Sequence, residues 1–388
     1  MLLYWVWLAQ LGKLNTVQKL ALLERYSDPE DLYHNSEKLP LPENVREALE
    51  DKDLTCAQNL IRECTSKGIG ILALCDEAYP ARLRNTQDPP LLLYYRGVLP
   101  DWEKQPVIGV VGTRNATFYG NEMALRFGRQ IAHCGALVIS GGATGIDTGA
   151  MRGAMEAERP TVGVLGCGVD VVYPRENKAL FNQVVKNGCL ISEYPPGTKG
   201  MPWHFPARNR IISGISNGIL VVEAPEKSGA LITANHALEQ GREVFAVPGN
   251  IDVPNCAGSN ALLQDRAIPV FSGWDVVKEY AAMWPGTVAK KPDLRVAQNR
   301  DPGISHRVSD KKSIDKDENS TYSVLDSKDI PLTDGEQKVL TVLERTPKHL
   351  DDVAAQLDIP TAAIKMTLTK LSVKGIVVMH PGGRVSLK

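Results

Sequence analysis

Short apolar runs alternate with amphipathic segments through the middle of the chain. The runs predict buried β-strands at 107–111, 136–139, 161–165, 219–222 and 244–247. The segments between them predict helices at 120–133, 147–158, 178–186 and 230–240. Near-continuous apolar strands that alternate with helices are typical of a parallel sheet covered on both faces. The pattern therefore predicts a doubly wound, mostly parallel α/β domain, which we assign to residues 66–280.

The chain before this domain has a helical pattern. Residues 14–23 have helical spacing, and Asp28-Pro29-Glu30-Asp31 is typical of a helix start. We predict a small helical domain over residues 1–65, similar to SAM or helix-hairpin modules. Such helices either contact DNA or only pack against a neighbour, and the sequence leaves both open.

Two further segments follow the α/β domain. Between 281 and 333 apolar residues become rare and charged residues crowd together, which predicts a flexible linker. From 334 to 388 the pattern predicts helices at 336–345, 350–357 and 361–374, then strands at 376–379 and 384–387. Three helices and a hairpin predict a winged helix, whose third helix would present Lys365, Thr369 and Lys370 to DNA. A protein-binding role for this domain stays open.

The composition excludes several classes of protein. Hydrophobic residues make up 43% of the chain, which excludes a wholly disordered or fibrous protein. Lys and Arg number 44 against 45 Asp and Glu, so the net charge of -1 excludes a polybasic binder but not a local basic patch. The 7 cysteines form no C-x-x-C pair and no Cys/His cluster with metal-ligand spacing. We expect neither a disulfide framework nor a bound metal.

The first residues are apolar but too few to cross a bilayer. The apolar stretch that begins at Met1 ends by Gln10, whereas a membrane helix needs ~20 residues. No basic segment precedes it, as a secretory signal would require. We therefore expect a buried first helix, no membrane contact and a cytoplasmic location.

Three glycine-rich loops follow consecutive predicted strands, at 112–117, 140–147 and 166–168. In a doubly wound sheet these loops meet at the carboxyl edge, where backbone N–H groups and helix N-termini bind anions. Tight turns without a ligand are the alternative. The candidate residues of the first two loops are Gly112, Thr113, Arg114, Ser140, Gly141, Gly142 and Gly145.

The common nucleotide and catalytic motifs are missing from the sequence. It contains neither G-x-G-x-x-G nor G-x-x-x-x-G-K-[ST], which disfavours an ordinary dinucleotide or ATP site. It also lacks an H-E-x-x-H motif, and its G-x-S-x-G run at 214–218 precedes a predicted strand, whereas the serine of a nucleophile elbow follows one. These absences disfavour the common nucleotide-dependent enzymes and hydrolases, and we expect no cofactor.

The segment 203–213 combines cations with aromatic rings. Its candidate contacts are Phe205, Arg208, Asn209 and Arg210, and Arg175 and Lys178 add charge on a neighbouring loop. Arginine contacts phosphates in a bidentate manner, and aromatic rings stack on unpaired bases. We expect Phe205, with Phe181 as a second candidate, to stack on a base.

Internal ion pairs are the alternative for the two arginines of this segment. Arg208 or Arg210 could pair with Glu193 or Glu223, and we expect one of the two arginines to do so. Phosphate contacts and stacking do not read base edges, so binding should show little sequence preference. It should also weaken as salt increases.

Seven runs in order across the α/β domain resemble the DNA-processing protein A family, also called DprA or Smf. The runs are V-V-G-T-R (110–114), S-G-G-A-x-G-I-D (140–147), G-C-G-V-D-V-V-Y-P (166–174), S-E-Y-P-P-G (192–197), F-P-A-R-N-R-I-I-S (205–213), K-S-G-A-L-I-T-A (227–234) and G-R-E-V-F-A-V-P-G (241–249). The N-terminal helices and the winged helix also resemble longer members of that family.

The resemblance implies a Rossmann-like domain that binds single-stranded DNA and has no catalytic activity. It implies a role in natural transformation, in which the protein protects incoming strands, helps remove single-strand-binding protein and loads the RecA recombinase. It also implies a homodimer formed through the Rossmann-like domain. By the same resemblance, Arg114, the Ser140–Gly142 loop, Phe205 and the Arg208-Asn209-Arg210 run would line the DNA pocket.

Two positions depart from the family's pattern. Many members carry a basic residue three positions before the phenylalanine of the F-P-x-R-N-R run, where this sequence has Pro202. Lys199 is the candidate replacement for that cation. Thr144 lies where an arginine is common.

Two other functions are alternatives. The fold also resembles that of nucleoside-monophosphate phosphoribohydrolases, whose P-G-G-x-G-T-x-x-E run supplies a catalytic glutamate. The corresponding run here, 226–234, has no carboxylate after its glycine. The third possibility is a transcription regulator that reads duplex DNA with its winged helix, and it predicts a preference for duplex over single strands.

Overall fold

The computed structural model describes residues 1–26, 28–290, 334–344, 348–357, 359, 364–365, 367–368, 371–372, 376–380 and 384–387. The chain divides into two compact units, Met1–Ile304 and Ser305–Lys388. The helices described in the first unit are α1 (Leu2–Gln10), α2 (Thr16–Tyr26), α3 (Pro29–Asn35), α4 (Glu43–Leu49), α5 (Thr55–Ser66), α6 (Ala81–Arg84), α7 (Phe118–His133), α8 (Ile146–Glu156), α9 (Lys178–Asn187), α10 (His204–Ile215), α11 (Gly229–Glu239), α12 (Ala257–Asp265) and α13 (Gly273–Val277). Its strands are β1 (Gly70–Ala73), β2 (Leu92–Gly97), β3 (Val107–Val111), β4 (Leu137–Ser140), β5 (Thr161–Leu165), β6 (Cys189–Ser192), β7 (Gly218–Val221), β8 (Glu243–Ala246) and β9 (Ile268–Pro269).

These strands form one sheet in the order β1-β2-β6-β5-β4-β3-β7-β8-β9. The β1–β2 and β2–β6 pairs are antiparallel, and the other pairs, from β6 to β9, are parallel. The predicted mostly parallel sheet is confirmed. The antiparallel strands β1 and β2 extend it at one edge.

Helices cover both faces of the sheet because the central strands bury side chains in both directions. On β3, Val107 and Val111 pack in one core with Ile211 of α10. Ile108 and Val110 pack in the other core with α7. Successive side chains of a strand point to opposite faces, so a run without polar positions requires cover on both sides.

The short helices α1 to α5 form where the pattern predicts a helical segment, and they belong to the same compact unit as the sheet. The first helix, α1, buries Trp5, Val6, Trp7 and Leu8 against the other short helices. Asp28 caps α3 by accepting a hydrogen bond from the Glu30 N–H, which confirms the predicted helix start. Among the described residues, no helix is both long and apolar enough to cross a bilayer.

The first residues of the predicted linker pack on the α/β domain. Val288 is buried against the core that contains α7, and the Ala289 N–H donates to the Cys134 carbonyl at 3.1 Å. Ordered packing therefore continues beyond the predicted end of the domain at 280. The rest of the predicted linker lies outside the described residues.

The described part of the second unit has the elements of a winged helix. They are α14 (Asp334–Leu340), α15 (Leu350–Leu357), β10 (Lys348–His349), β11 (Val377–His380) and β12 (Arg384–Leu387). The strands β11 and β12 pair antiparallel, as predicted for the hairpin. Leu368 and Leu371 of the third predicted helix lie in the core. Lys365 is exposed, and Thr369 and Lys370 lie outside the described residues.

Candidate nucleic-acid interface

An open pocket of about 610 Å³ lies at the carboxyl edge of the sheet, where the loops after β3, β4 and β5 meet α10 and α11. A smaller cavity of about 70 Å³ adjoins it. The two share Arg114, Ala143, Tyr173, Phe205 and Arg208 in their linings. The main lining also includes Gly112, Thr113, Asp147, Gly200, Pro202, Asn209, Lys227, Ser228 and Gly229.

The loop that carries Arg114 is anchored by Glu223, which is buried just after β7. The Thr113 N–H donates to the Glu223 main-chain carbonyl at 2.8 Å. The Thr117 N–H donates to the Glu223 carboxylate at 2.9 Å. Gly145 packs on this loop so closely that a Cβ would lie 2.4 Å from the Thr113 carbonyl oxygen. Arg114 is exposed, and the loop that carries it is held in place by Glu223 and Gly145.

The glycine loop after β4 lies mostly beneath the pocket. Ser140 is buried, and its hydroxyl donates to the Val110 carbonyl at 2.7 Å. Gly141 borders the smaller cavity, whereas Gly142 is buried and lies in neither lining. Asn177 donates to the Gly142 carbonyl at 2.9 Å and so ties this loop to the one after β5. The sequence interpretation missed Asn177, because a lone asparagine beside charged residues gives no signal of that role.

Three side chains form a column at the pocket wall. The Arg114 guanidinium lies 4.9 Å from the centroid of the Phe205 ring. The Phe205 ring stacks on Tyr173, with centroids 5.2 Å apart and an interplanar angle of 30°. Tyr173 is 42% exposed. The column presents a cation and an aromatic surface to the same space, although the sequence interpretation did not single out Tyr173.

Arg208 lies at the base of the pocket and is 4% exposed. Its Nη1 donates to the Gly141 carbonyl at 2.6 Å and to the Val164 carbonyl, and its Nε donates to Asn209 at 3.3 Å. Burial lowers the pKa of Arg208 to about 10, against the opposing effect of the nearby Asp147 carboxylate. Burial also disfavours the charged form of Asp147 and so raises the pKa of that carboxyl, and the charge of Arg208 limits the rise. Arg208 therefore stabilises the strand ends, and only part of its surface lines the pocket.

Arg210 points away from the pocket. Its Nε donates to Asp88 at 3.0 Å and its Nη2 donates to Glu193 at 2.8 Å. Burial alone would lower the pKa of Arg210, but these two carboxylates outweigh it and raise that pKa. The expectation that one arginine pairs internally is confirmed for Arg210 and Glu193. Placing Arg210 in the pocket lining was wrong, because its guanidinium neutralises two carboxylates elsewhere.

Phe181, the second candidate for stacking, is buried in the hydrophobic core and is 3% exposed. It packs beneath the β4 loop, where a Cβ on Gly142 would lie 3.0 Å from its ring. The expectation that Phe181 stacks on a base was wrong. Its position on α9 directs the ring toward the sheet instead.

The other predicted cations lie outside the two linings. Arg175, Lys178 and Lys199 are exposed on neighbouring loops and on the start of α9. Thr144 and Pro202, where the resemblance leads one to expect cations, do line the cavities. Lys227 also lines the main pocket and is exposed beside the start of α11. Lys227 begins the K-S-G-A-L-I-T-A run that carries the family resemblance, but it was not among the predicted contacts.

Two family models match the chain. The model described as DNA recombination-mediator protein A matches residues 70–281. The model described as the DprA winged helix domain matches residues 326–383. Together they cover the pocket-bearing sheet and the C-terminal unit.

The chain is also similar to several known proteins. It is 43% identical to DNA processing protein DprA of Bacillus subtilis over 213 residues, which are 55% of this chain and 72% of that protein. It is 32% identical to Protein Smf of Synechocystis over 334 residues, which are 84% of this chain and 81% of that protein.

Solved structures also resemble this chain. The X-ray structure of DNA processing protein A from Streptococcus pneumoniae matches with a TM-score of 0.63 and 32% identity, covering 72% of this chain and 98% of that one. A structure of DNA processing protein A from Helicobacter pylori matches with a TM-score of 0.50 and 26% identity, covering 55% of this chain and 96% of that one. That structure is described as giving insight into the single-stranded DNA binding mode of the H. pylori protein.

Proposed function

Because this chain belongs to the family of DNA recombination-mediator protein A, also named DprA or Smf, we propose that its pocket binds single-stranded DNA. The single observation that carries the proposal is the column of Arg114, Phe205 and Tyr173 at the carboxyl edge of the sheet. A cation beside exposed aromatic surface suits the phosphate and the base of one unpaired nucleotide. A base within a duplex stacks on its neighbours with both faces, so none is free for such a column and duplex DNA should bind less well.

Of the described residues that line the pocket, the exposed cations are Arg114 and Lys227, and both can contact phosphates. Arg208 contributes positive potential from below, although its donors are largely occupied by carbonyl groups. Phosphate contacts and stacking carry little sequence information. The site would therefore bind strands of any sequence, as a mediator of recombination must. The similarity to the H. pylori protein, which has a single-stranded DNA binding mode, supports this assignment.

The wider role that we propose is delivery of single strands to a recombinase without catalysis by this protein. The protein would protect incoming strands in the cytoplasm, displace single-strand-binding protein and load RecA. A homodimer through the Rossmann-like domain would place two pockets on one strand. The second binding event would then be intramolecular, which raises the apparent affinity without any new contact.

Strand-selective binding tests the pocket assignment. The full chain is titrated into labelled single-stranded and duplex oligonucleotides of equal length, beside a double variant, Arg114→Gln with Lys227→Gln. We expect the single strand to be preferred and the double variant to lose most of its affinity. The matched control is Arg126→Gln with Lys186→Gln. Both residues are exposed on α7 and α9 away from the pocket, so this variant should bind like the wild type. Equal affinity of the two double variants would contradict the assignment.

Loading is tested separately by RecA nucleation on a strand coated with single-strand-binding protein. The readout is the DNA-dependent ATPase of RecA. We expect the wild-type chain to shorten the lag before ATP hydrolysis and the Arg114→Gln, Lys227→Gln variant not to do so. If the wild-type chain binds the strand but does not shorten the lag, the loading of RecA is contradicted. The proposal that the pocket binds single strands would still stand.

A further inference from the structure

The Phe205 ring is already enclosed by protein. The Arg114 guanidinium lies 4.9 Å from its centroid and the Tyr173 ring lies 5.2 Å from it. Backbone approaches its edges, since a Cβ on Gly166 or Gly200 would lie 2.9 Å or 3.2 Å from ring atoms. A base that stacked on Phe205 would have to displace either Arg114 or Tyr173 and give up a contact that the column already makes.

Tyr173 is the member of this column that stacks on Phe205. Its side chain is 42% exposed and lines both cavities. Asn177 holds the segment that carries it through hydrogen bonds to the Gly142 carbonyl and to Thr148, at 2.9 Å and 2.8 Å. A base that stacked on Tyr173 would displace neither Phe205 nor Arg114. The ring is thus both accessible and fixed in position.

We propose that Tyr173 is the base-stacking residue of this pocket, and that Phe205 and Arg114 form the layers that support it. The inference rests on the proposed function, because it requires a single strand in the pocket. Its ligand is an unpaired nucleobase of any identity. A sugar-phosphate chain without bases would gain nothing from Tyr173, so this residue makes the site selective for nucleic acid over other linear polyanions.

The test is a thermodynamic cycle between the tyrosine ring and the base. Wild type, Tyr173→Leu and Tyr173→Phe are each titrated with an oligothymidylate and with an abasic phosphodiester strand of the same length. A base stacked on an aromatic ring changes affinity by about 5-fold to 100-fold. We expect the wild type and Tyr173→Phe to prefer the base-bearing strand by such a factor. Tyr173→Leu should lose most of that preference and bind the abasic strand as the wild type does.

A matched control is Tyr119→Leu, because Tyr119 is 51% exposed on α7 and lines neither cavity. An unchanged preference in Tyr173→Leu would overturn the inference and leave the proposed function standing. An equal loss for both strands would also overturn it, because it would mean that Tyr173 acts through Arg114. If the wild type binds neither strand, the proposed function itself fails, and the inference fails with it. Should Tyr173→Leu not fold by circular dichroism, Tyr173→Gln supplies the same comparison.

Discussion

Two arginines only two residues apart on α10 have different partners. Arg208 donates to the carbonyls of two strand ends, whereas Arg210 pairs with Asp88 and Glu193. Residues two apart on a helix do not share a face, so their side chains leave α10 in different directions. The motif F-P-A-R-N-R therefore combines a structural role with a place in the pocket wall, and Arg114 supplies the accessible guanidinium.

Exchange of Arg208 and Arg114 for methionine should separate stability from binding. Arg208→Met leaves two buried carbonyls without a donor and Asp147 without the main cation beside it. We expect a loss of about 3–5 kcal/mol in the free energy of unfolding, measured in urea. Arg114→Met should change that free energy by less than about 0.5 kcal/mol but weaken binding of single strands. Similar stability losses in the two variants would contradict the assigned roles.

The burial of Lys19 should make the stability of the N-terminal helices depend on pH. The residue is 7% exposed, its ammonium donates to the Ala9 carbonyl at 2.7 Å, and burial lowers its pKa from 10.5 to about 8. Between those two values the unfolded chain binds more protons than the folded chain, so stability rises with pH. Below about pH 8 the cost of burying the charge is present in full.

Lys19→Met should remove this dependence. We expect the free energy of unfolding of the wild type to rise relative to that of the variant as the pH increases from about 8 to about 10. Because other groups titrate equally in both proteins, the difference between the two curves isolates Lys19. Parallel curves over this interval would show that Lys19 stays charged in the folded state.

At the scale of helices and strands, the predictable elements are those whose burial is complete. The strands β3, β4, β5, β7 and β8 were predicted because an unbroken apolar run requires cover on both faces. The strands β1 and β2 were not predicted, and each is buried along only half of its length. The strand β6 was also missed, although all four of its residues are buried. Pro206 lies in the first turn of α10, where it fits a helix, yet it hides the helical period in the sequence.

The site was predictable in its position but not in its contacts. The loops after apolar strands must meet at the carboxyl edge, so Arg114 could be placed there. Phe205 was placed in the pocket by the family resemblance. The pair of Arg210 with Glu193 was among those expected, but the second partner, Asp88, lies more than a hundred positions away in the sequence. No local pattern indicates such a pair.

Gly145 joins two of the pocket loops and tolerates no side chain. Its φ is +76°, and a Cβ would lie 2.4 Å from the Thr113 carbonyl oxygen. Gly145→Ala should therefore reduce the free energy of unfolding by more than the ~1–3 kcal/mol of backbone strain alone. Gly241→Ala is the matched control, because Gly241 has a φ of +69° and nothing within 4 Å of its Cβ position. Equal losses in urea unfolding would show that the loops separate easily.

At the scale of the whole molecule, the pocket lies within the first unit, and the winged helix lies in the second. A chain that ends at residue 290 keeps the packed segment around Val288. We expect it to bind single strands within about threefold of the full chain, a difference of roughly 0.65 kcal/mol. A loss of more than about tenfold in the same assay would move the principal binding surface to the winged helix.

The central claim is that exposed cations at this pocket neutralise DNA phosphates. The most direct measurement is the affinity of the full chain for a single strand as a function of salt, beside the Arg114→Gln, Lys227→Gln variant. Each neutralised phosphate contributes about -0.7 to the slope of log affinity against log salt. We predict that the slope of the variant is shallower by about 1.4 than that of the wild type. Identical slopes would contradict the account, because they would place the phosphate contacts elsewhere on the molecule.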